Sequence, residues 1–421
     1  MAESPNVYIR AQQIVERCKQ LASFSEDRVG TRRAFLSAPM RDCHKEITRW
    51  LKAAGAEVSV DAAGNLHGFY AGSEAGAPRL LIGSHLDTIP NAGAYDGILG
   101  VLLAVSLLES LEGLRLPFAI EVVGFSEEEG VRFGKPFIGS RALVDRFDEE
   151  LLNQQDADGI SVRDAIKSFG LNPAEIAGAA IGEDTLGYLE LHIEQGPLLE
   201  SLSRPLGIVE AIAAQTRMEF VFSGAANHAG TTPMDLRRDA LSGAAEWIAA
   251  VESTAKNTAG LVATVGQITV KPGAANVIAG SARVSLDVRH GSDEVCAEAS
   301  GRIAQQAEDI AARRGLTVKR SELLRQKAVK MDAFLTEQIE KAIRSVGCEP
   351  HRMVSGAGHD AMILAEKVPA AMIFLRSPGG ISHDPAESVE AGDVAKALQC
   401  GLRLLEQLAH SSEFLKRTCR A

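Results

Sequence analysis

Four stretches of the sequence set imidazoles and carboxylates in loops that follow apolar runs. In GSHLDTIPNAGAYDG, His85 and Asp87 follow the run LLIG, and Asp96 comes next in a Gly-rich loop. A His with a carboxylate two residues on is the pattern of a metal ligand oriented by a neighbouring acid, although HxD alone is common in surface loops. In FSEEEGVRF, the consecutive Glu127, Glu128 and Glu129 repel one another, so a folded chain neutralises them with cations or leaves them to solvent as an acidic turn. GYLELHIEQGP supplies His192 with Glu194 and Gln195 close behind, and SPGGISHDPAES brings His383 in another Gly-rich turn. One such histidine would be an ordinary satisfied polar residue; four such sites together point to a metal cluster. Imidazole plus carboxylate without thiolate fits zinc, manganese or a similar divalent ion, and the donor types do not choose among them.

Such a cluster needs a scaffold that gathers distant segments. Met40, Cys43, Ile47, Leu51 and Ala54 recur at spacings of three and four after a Ser37 cap, with Gly55 as a stop, which predicts an amphipathic helix. β-rich runs then alternate with helical ones: EVSV from Glu57, LLIG from Leu80, a helix from Ile98 and FAIEVVGF from Phe118. The alternation predicts an α/β sheet covered on both faces, and in open sheets of this kind ligands collect outside the carboxyl ends of the strands. Beyond Ile193 the pattern changes. RMEFVF from Arg217 is followed later by ARVSLDVRH, whose Val284, Leu286 and Val288 share one face, with helical stretches from Asp239 to Thr254 and from Ser292 to Arg314. Strands that alternate apolar and polar belong to a sheet with one wet face, so an inserted second domain is expected at 214–327. AAMIFL from Ala370 and a closing helix after Ala391 return the chain to mixed α/β, and no internal repeat or low-complexity tract interrupts it.

At 421 residues the chain is long enough to bury a sizeable core in more than one domain. Lys and Arg total 44 against 55 Asp and Glu, a net charge of −11 with no long basic run, which argues against nucleic acid or an anionic membrane as partner. A small molecule or another protein is the expected partner. The longest strongly apolar stretch, Ile98 to Leu108, is about half a bilayer span and reads as a buried helix. No positive segment leads into an apolar run at the N-terminus, so no secretory signal is read there and a cytoplasmic location is the default expectation. Cys18, Cys43, Cys296, Cys348, Cys400 and Cys419 lie far apart with no CxxC pair, as suits reduced thiols.

In order along the chain, SHLDT, AYDG, EEEG, HIEQGP, NHAGTTPM, GAGHDA and SHDPAE resemble the M20 metallopeptidase superfamily. More narrowly they resemble its hydantoinase/carbamoylase branch, which holds N-carbamoyl-L-amino acid hydrolases, allantoate amidohydrolases and β-ureidopropionases. The resemblance spans about residues 40–410. It implies a mixed α/β sheet with helices on both faces, forming a dinuclear-metal catalytic domain over 1–213 and 328–421, with an inserted α+β lid and dimerisation domain over 214–327. Two divalent metal ions are implied, zinc or manganese, with cobalt or nickel as further candidates. Asp96 and a water or hydroxide would bridge them, His85 and His192 completing one ion and Glu129 and His383 the other. Asp87 would orient His85, and Glu128 would be the general base; Glu127 has no implied role. Many peptidase members carry Asp or Glu where this chain has His192, so His192 and HIEQGP favour the ureido branch.

In the inserted domain the resemblance implies substrate contacts from His228, Asn276 and Arg289. Arg289 would hold a carboxylate, while His228 and Asn276 would polarise the scissile carbonyl or share the carboxylate. Surface ion pairing for the arginines and sheet-edge hydrogen bonding for Asn276 are the plain alternatives. Gln195 and Arg217 are further candidates, and Gly358 and His359 belong to a Gly-rich loop whose backbone N–H groups suit an anion. The expected reaction is cleavage of the ureido C–N bond of allantoate or an N-carbamoyl-L-amino acid by a homodimer, with EEEG, GVRFG and HIEQGP leaning to allantoate. The rival readings are an exopeptidase of the same fold, of dipeptidase or aminoacylase type, and a non-catalytic metal- or ligand-binding protein. The second rival is opposed by the retention of Glu128 and all five metal positions.

Overall fold

The structure is a computed structural model that describes residues 5–417; Cys419 and the first four residues of the N-terminal reading lie outside them. The strands are β1 (Glu57–Val60), β2 (Leu66–Tyr70), β3 (Arg79–His85), β4 (Ala119–Phe125), β5 (Thr185–Ile193), β6 (Leu206–Ile212), β7 (Ala214–Ser223), β8 (Val262–Thr264), β9 (Ile268–Lys271), β10 (Ser281–His290), β11 (Thr317–Gln326), β12 (Val329–Lys330), β13 (Arg352–Ser355) and β14 (Ala370–Leu375). The longer helices are α1 (Pro5–Ala22), α2 (Ala38–Ala53) and α3 (Ile98–Leu111), and, beyond the short α4 (Ile138–Leu143) and α5 (Glu149–Asn153), α6 (Val162–Phe169). After the single turn α7 (Leu198–Ser201) come α8 (Ala240–Lys256), α9 (Asp293–Arg313), α10 (Ala333–Ser345), α11 (Asp360–Leu364) and α12 (Ala391–Ala409). The chain divides into two compact units: the first holds residues up to Glu210 together with Met331–Met353 and the chain from Gly358 on, the second Ala211–Lys330 and Val354–Ala357.

In the first unit the strands run in the order β1-β2-β4-β3-β5-β14-β6, so the chain crosses over rather than meandering. β3 is parallel to both β4 and β5, and β14 to β5, while β1, β2 and β6 pair antiparallel at the margins. Every residue of β5 and of β14 is buried, as the central strands of a sheet covered on both faces must be. α3 is apolar all round and its residues Ile98 to Leu108 are all buried, which bears out the reading of that run as a core helix. α2 begins where the cap signal puts it, with the Ser37 side chain accepting from the Met40 N–H, and Met40, Cys43, Ile47 and Leu51 face the core. α1, α10 and α12 add further buried residues to this core.

The second unit is an antiparallel sheet ordered β11-β7-β10-β8, with β9 also paired to β10. Val284 and Leu286 of β10 lie opposite Phe220 and Met218 of β7, and this face closes on α8 and α9 around Trp247, whose indole N–H donates to the Ile303 carbonyl at 2.9 Å. Arg217, Glu219, Arg283 and Asp287 fall on the other, wetter face, as the period of two requires. Among the described residues no helix is long and apolar enough to cross a membrane.

Candidate metal centre

The parallel strands β3, β4 and β5 end on the same side of the first unit's sheet, and their carboxyl ends carry the chemistry. His85 is the last residue of β3 and His192 the penultimate residue of β5; their Nε2 atoms lie 3.3 Å apart. Asp96 closes the loop after β3, immediately before α3. Its Oδ1 faces His192 Nε2 at 3.2 Å and His85 Nε2 at 3.7 Å, while its Oδ2 faces His383 Nε2 at 3.2 Å. Glu129, in the turn after β4, brings Oε1 to 3.5 Å from the same His383 nitrogen. Two donor sets therefore share one carboxylate: His85, Asp96 and His192 on one side, Asp96, Glu129 and His383 on the other.

These residues fit a metal ion on the chemistry of the donors and on their unmet needs. Asp96 Oδ1 is buried and takes no well-formed hydrogen bond, a costly condition for an anion unless a cation meets it. Burial pushes His192 down to about 4, which keeps its imidazole neutral and its lone pair available. Its Nδ1 meets the Ile193 carbonyl at 2.9 Å, and His85 Nδ1 meets the Asp87 carbonyl at 3.0 Å, leaving both Nε2 atoms turned to Asp96. Burial works against an ionised Asp96, but His383 and His85 hold it well below the usual carboxylate range. Glu129 is pushed up to about 7 by burial and by Asp96. Glycine at 97 is required twice over: its φ is +67°, and a Cβ there would lie 2.5 Å from the His85 ring. Gln195 and His383, both left-handed at φ 58° and 59°, meet at the second oxygen, where Gln195 Nε2 donates to Asp96 Oδ2 at 3.0 Å.

The acidic run is not a solvated turn. Glu127 is fully buried and Glu128 is 8 % exposed. Burial pushes the Glu128 carboxyl well up, with Glu129 adding to it, and burial and Asp87 do the same to Glu127. Asp87 holds this turn: its Oδ1 accepts the Glu128 N–H at 2.9 Å and its Oδ2 the Glu129 N–H at 3.1 Å, while His85 Nδ1 stands 3.5 Å from the carboxylate. Asp87 thus orients the acidic turn first, and His85 is oriented chiefly by the Asp87 backbone.

The remaining candidates divide between the units. Gly358 sits under the Phe137 ring, where a Cβ would come within 2.8 Å, and the buried His359 ring stacks edge-on against His192 and Phe374. In the second unit, a backbone bridge from His228 to Val277 sets the exposed His228 beside Asn276, and His228 Nδ1 accepts the Gly230 N–H at 3.1 Å. Arg289 is gripped by Asp287, through Nε at 2.8 Å and Nη2 at 3.1 Å, and donates from Nη1 to the Gly356 carbonyl. Arg217 donates to the same Asp287 at 2.9 Å, so its contact is an ion pair that steadies Asp287. Ala213, Val262, Thr264, Asp287, Arg289 and Gly356 line a cavity of about 480 Å³ within this unit. Among the buried acids that sequence patterns left unassigned is one behind the histidines. Glu190, two residues before His192, accepts from Ser84 Oγ at 3.0 Å and from the Ala361 N–H at 2.9 Å, which ties β3, β5 and α11 together behind the histidines. A carboxylate inside an otherwise apolar run was the signal for it.

Fold and site together define an α/β protein built around a shared-carboxylate centre. The model of the M20/M25/M40 peptidase family matches residues 81–409, and the chain belongs to that family. The chain is 38% identical over 406 residues to an N-carbamoyl-L-amino acid amidohydrolase of Geobacillus stearothermophilus, spanning 95% of this chain and 99% of that one. It is 37% identical to an allantoate deiminase of Arabidopsis thaliana over 94% of this chain and 81% of that one. A crystal structure of a hydantoinase/carbamoylase family amidase from Burkholderia multivorans superposes with a TM-score of 0.89 at 31% identity, over 94% of this chain and 97% of that one. With an amidohydrolase, a deiminase and an amidase as its relatives, the chain is a hydrolase of the hydantoinase/carbamoylase branch.

Proposed function

We propose that the protein is a metal-dependent amidohydrolase that cleaves the ureido C–N bond of allantoate or of an N-carbamoyl-L-amino acid, releasing ammonia and carbon dioxide. The observation that carries this reading is the division of Asp96 between two donor sets with the buried Glu128 alongside. His85, Asp96 and His192 would hold one divalent ion and Asp96, Glu129 and His383 a second, with zinc and manganese the foremost candidates. When bound, such a pair supplies Lewis acidity that acidifies a water and polarises a carbonyl.

Glu128 takes the proton of the water that attacks the ureido carbonyl carbon and returns it to the departing nitrogen. The C–N bond breaks, the amide nitrogen leaves as ammonia, and the carbamate that remains loses carbon dioxide to free the amine. Asp87 keeps the Glu128 carboxyl in place by gripping its backbone. Gln195, steadied on Asp96 Oδ2, suits the polar edge of the ureide. We assign the substrate's carboxylate to Arg289: Asp287 occupies one edge of its guanidinium and the Gly356 carbonyl takes one Nη1 hydrogen, which leaves one N–H on each of Nη1 and Nη2 for a second carboxylate. His228 and Asn276 are assigned to the same substrate, Gly358 and His359 to the loop beside it, and the second unit to a lid and dimer face of a homodimer.

The test is ammonia release by the Mn²⁺- or Zn²⁺-reconstituted protein against allantoate, N-carbamoyl-L-amino acids, β-ureidopropionate and a dipeptide panel. Turnover of one ureide is expected and names the substrate. Dipeptide cleavage with no ureide turned over would move the chain to the exopeptidases. With the ureide in hand, Arg289→Ala should raise KM strongly, and an unchanged KM would remove Arg289 from the substrate.

A further inference from the structure

Glu387 lies in the same turn as His383, and none of the roles above uses it. It is 5 % exposed. One of its oxygens, Oε2, accepts both the Tyr95 N–H at 2.8 Å and the Asp96 N–H at 3.1 Å; the other, Oε1, accepts from Ser382 Oγ at 3.3 Å. Its own N–H donates to the Asp384 carbonyl, so the turn from His383 to Glu387 is closed on itself. Gly93, opposite, leaves the side chain its room, since a Cβ there would fall 2.4 Å from Glu387 Cβ and 2.6 Å from Oε2. One carboxylate therefore joins two loops from opposite ends of the chain, and each loop carries a donor of the centre.

The backbone of Asp96 matters because its two oxygens face different partners. A rotation of that peptide would move Oδ1 off His85 and His192 and Oδ2 off His383 at once. We propose that Glu387 is a positioning residue that locks the Asp96 backbone and the His383 turn to one another, and so sets the spacing of the two donor sets. The proposal rests on the reading of Asp96 and His383 as metal ligands. What it requires of residue 387 is an acceptor of the right reach. A glutamine offers the same oxygen to the two N–H groups and an amide that can donate to Ser382 Oγ; an alanine leaves both buried N–H groups without a partner.

The experiment titrates the metal-free full chain with Zn²⁺ against a chromogenic chelator, reading affinity and ions bound per chain. Outer partners of a metal ligand are worth about 10- to 100-fold in affinity, and Glu387→Ala is expected to lose that much for at least one ion. Glu387→Gln is expected to stay close to the parent. Parental affinity in Glu387→Ala, or an equal loss in Glu387→Gln, overturns the positioning role. Asp96→Asn separates the two layers: loss of metal there with no loss in Glu387→Ala leaves the ligands standing without the positioning residue, whereas full occupancy in Asp96→Asn overturns the ligand reading itself. If Glu387→Ala does not fold, Glu387→Asp takes its place. Its carboxylate falls one methylene short, and parental affinity in that variant overturns the proposal.

Discussion

At the scale of single residues, Glu128 is the group whose environment and assigned task coincide. Its carboxyl is buried, pushed up by that burial and by Glu129, and fixed from behind through its own N–H. Burial favours the neutral form of this carboxyl, and divalent cations bound beside it would favour the ionised form that acts as a base. Glu128→Gln keeps the shape and removes the base. Turnover should fall by about a hundredfold or more while the ions bound per chain stay at the parental number. Turnover within a few-fold of the parent would sink the assignment and turn attention to Glu127, the other buried acid of the run.

At the scale of elements, β4 is held to its neighbours by charges as well as by its ladder. His67 of β2 lies between Glu121 of β4, at 2.8 Å, and Asp61 of the turn after β1, at 3.1 Å. Asp61 also accepts from the N–H groups of Ala63 and Asn65, and Asn65 Oδ1 accepts the Ser126 N–H at 3.1 Å, one residue before the acidic run. Burial alone would lower the His67 pKa, but the two carboxylates overcome it and raise it from 6.5 to about 10. A group whose pKa is higher folded than unfolded stabilises the fold fully below its unfolded value and loses that contribution as pH rises through the folded one. The stabilisation from His67 should therefore be complete below pH 6.5 and gone above about 10. Thermal midpoints measured from pH 6 to 10.5 should fall more steeply in the parent than in His67→Gln, and parallel curves would show that the pair carries no net stability.

At the scale of the molecule, the first unit concentrates acids where there is little water. Glu127, Glu128, Glu129, Glu190 and Asp360 are all pushed upward, by burial first and then, for Glu128 by Glu129, for Glu129 by Asp96 and for Asp360 by Glu190. Divalent ions would relieve that repulsion, and a ligand bound only by the folded chain stabilises it by about 2.7 kcal/mol at a hundredfold excess over its Kd. Chelation should lower the thermal midpoint by several degrees, and added Mn²⁺ or Zn²⁺ should restore it. The Asp96→Asn chain should show neither change. A midpoint indifferent to chelator in the parent would mean that no ion is part of the folded state.

Much of this was legible in the residue string. The cap at Ser37, the run from Ile98 and the alternation of Val284, Leu286 and Val288 are local patterns, and local patterns are what a sequence displays. The donor types and their order along the chain were legible for the same reason, because the segments carrying His85 with Asp96, Glu129, His192 and His383 each come after or at the end of an apolar run. What required the tertiary structure was the geometry among them. The sheet places β3 between β4 and β5, out of sequence order, and only that non-local pairing decides that the two oxygens of Asp96 face separate partners. Tertiary packing likewise buries the acidic run, for which the sequence offered both cations and solvent, turns Asp87 toward the backbone of Glu128 and brings Glu387 under Asp96, while the separate β7–β10 pairing of the second unit draws Arg217 to Asp287. A hydrogen bond depends on ångströms and angles between segments that are neighbours only after folding, and no spacing along the chain encodes those.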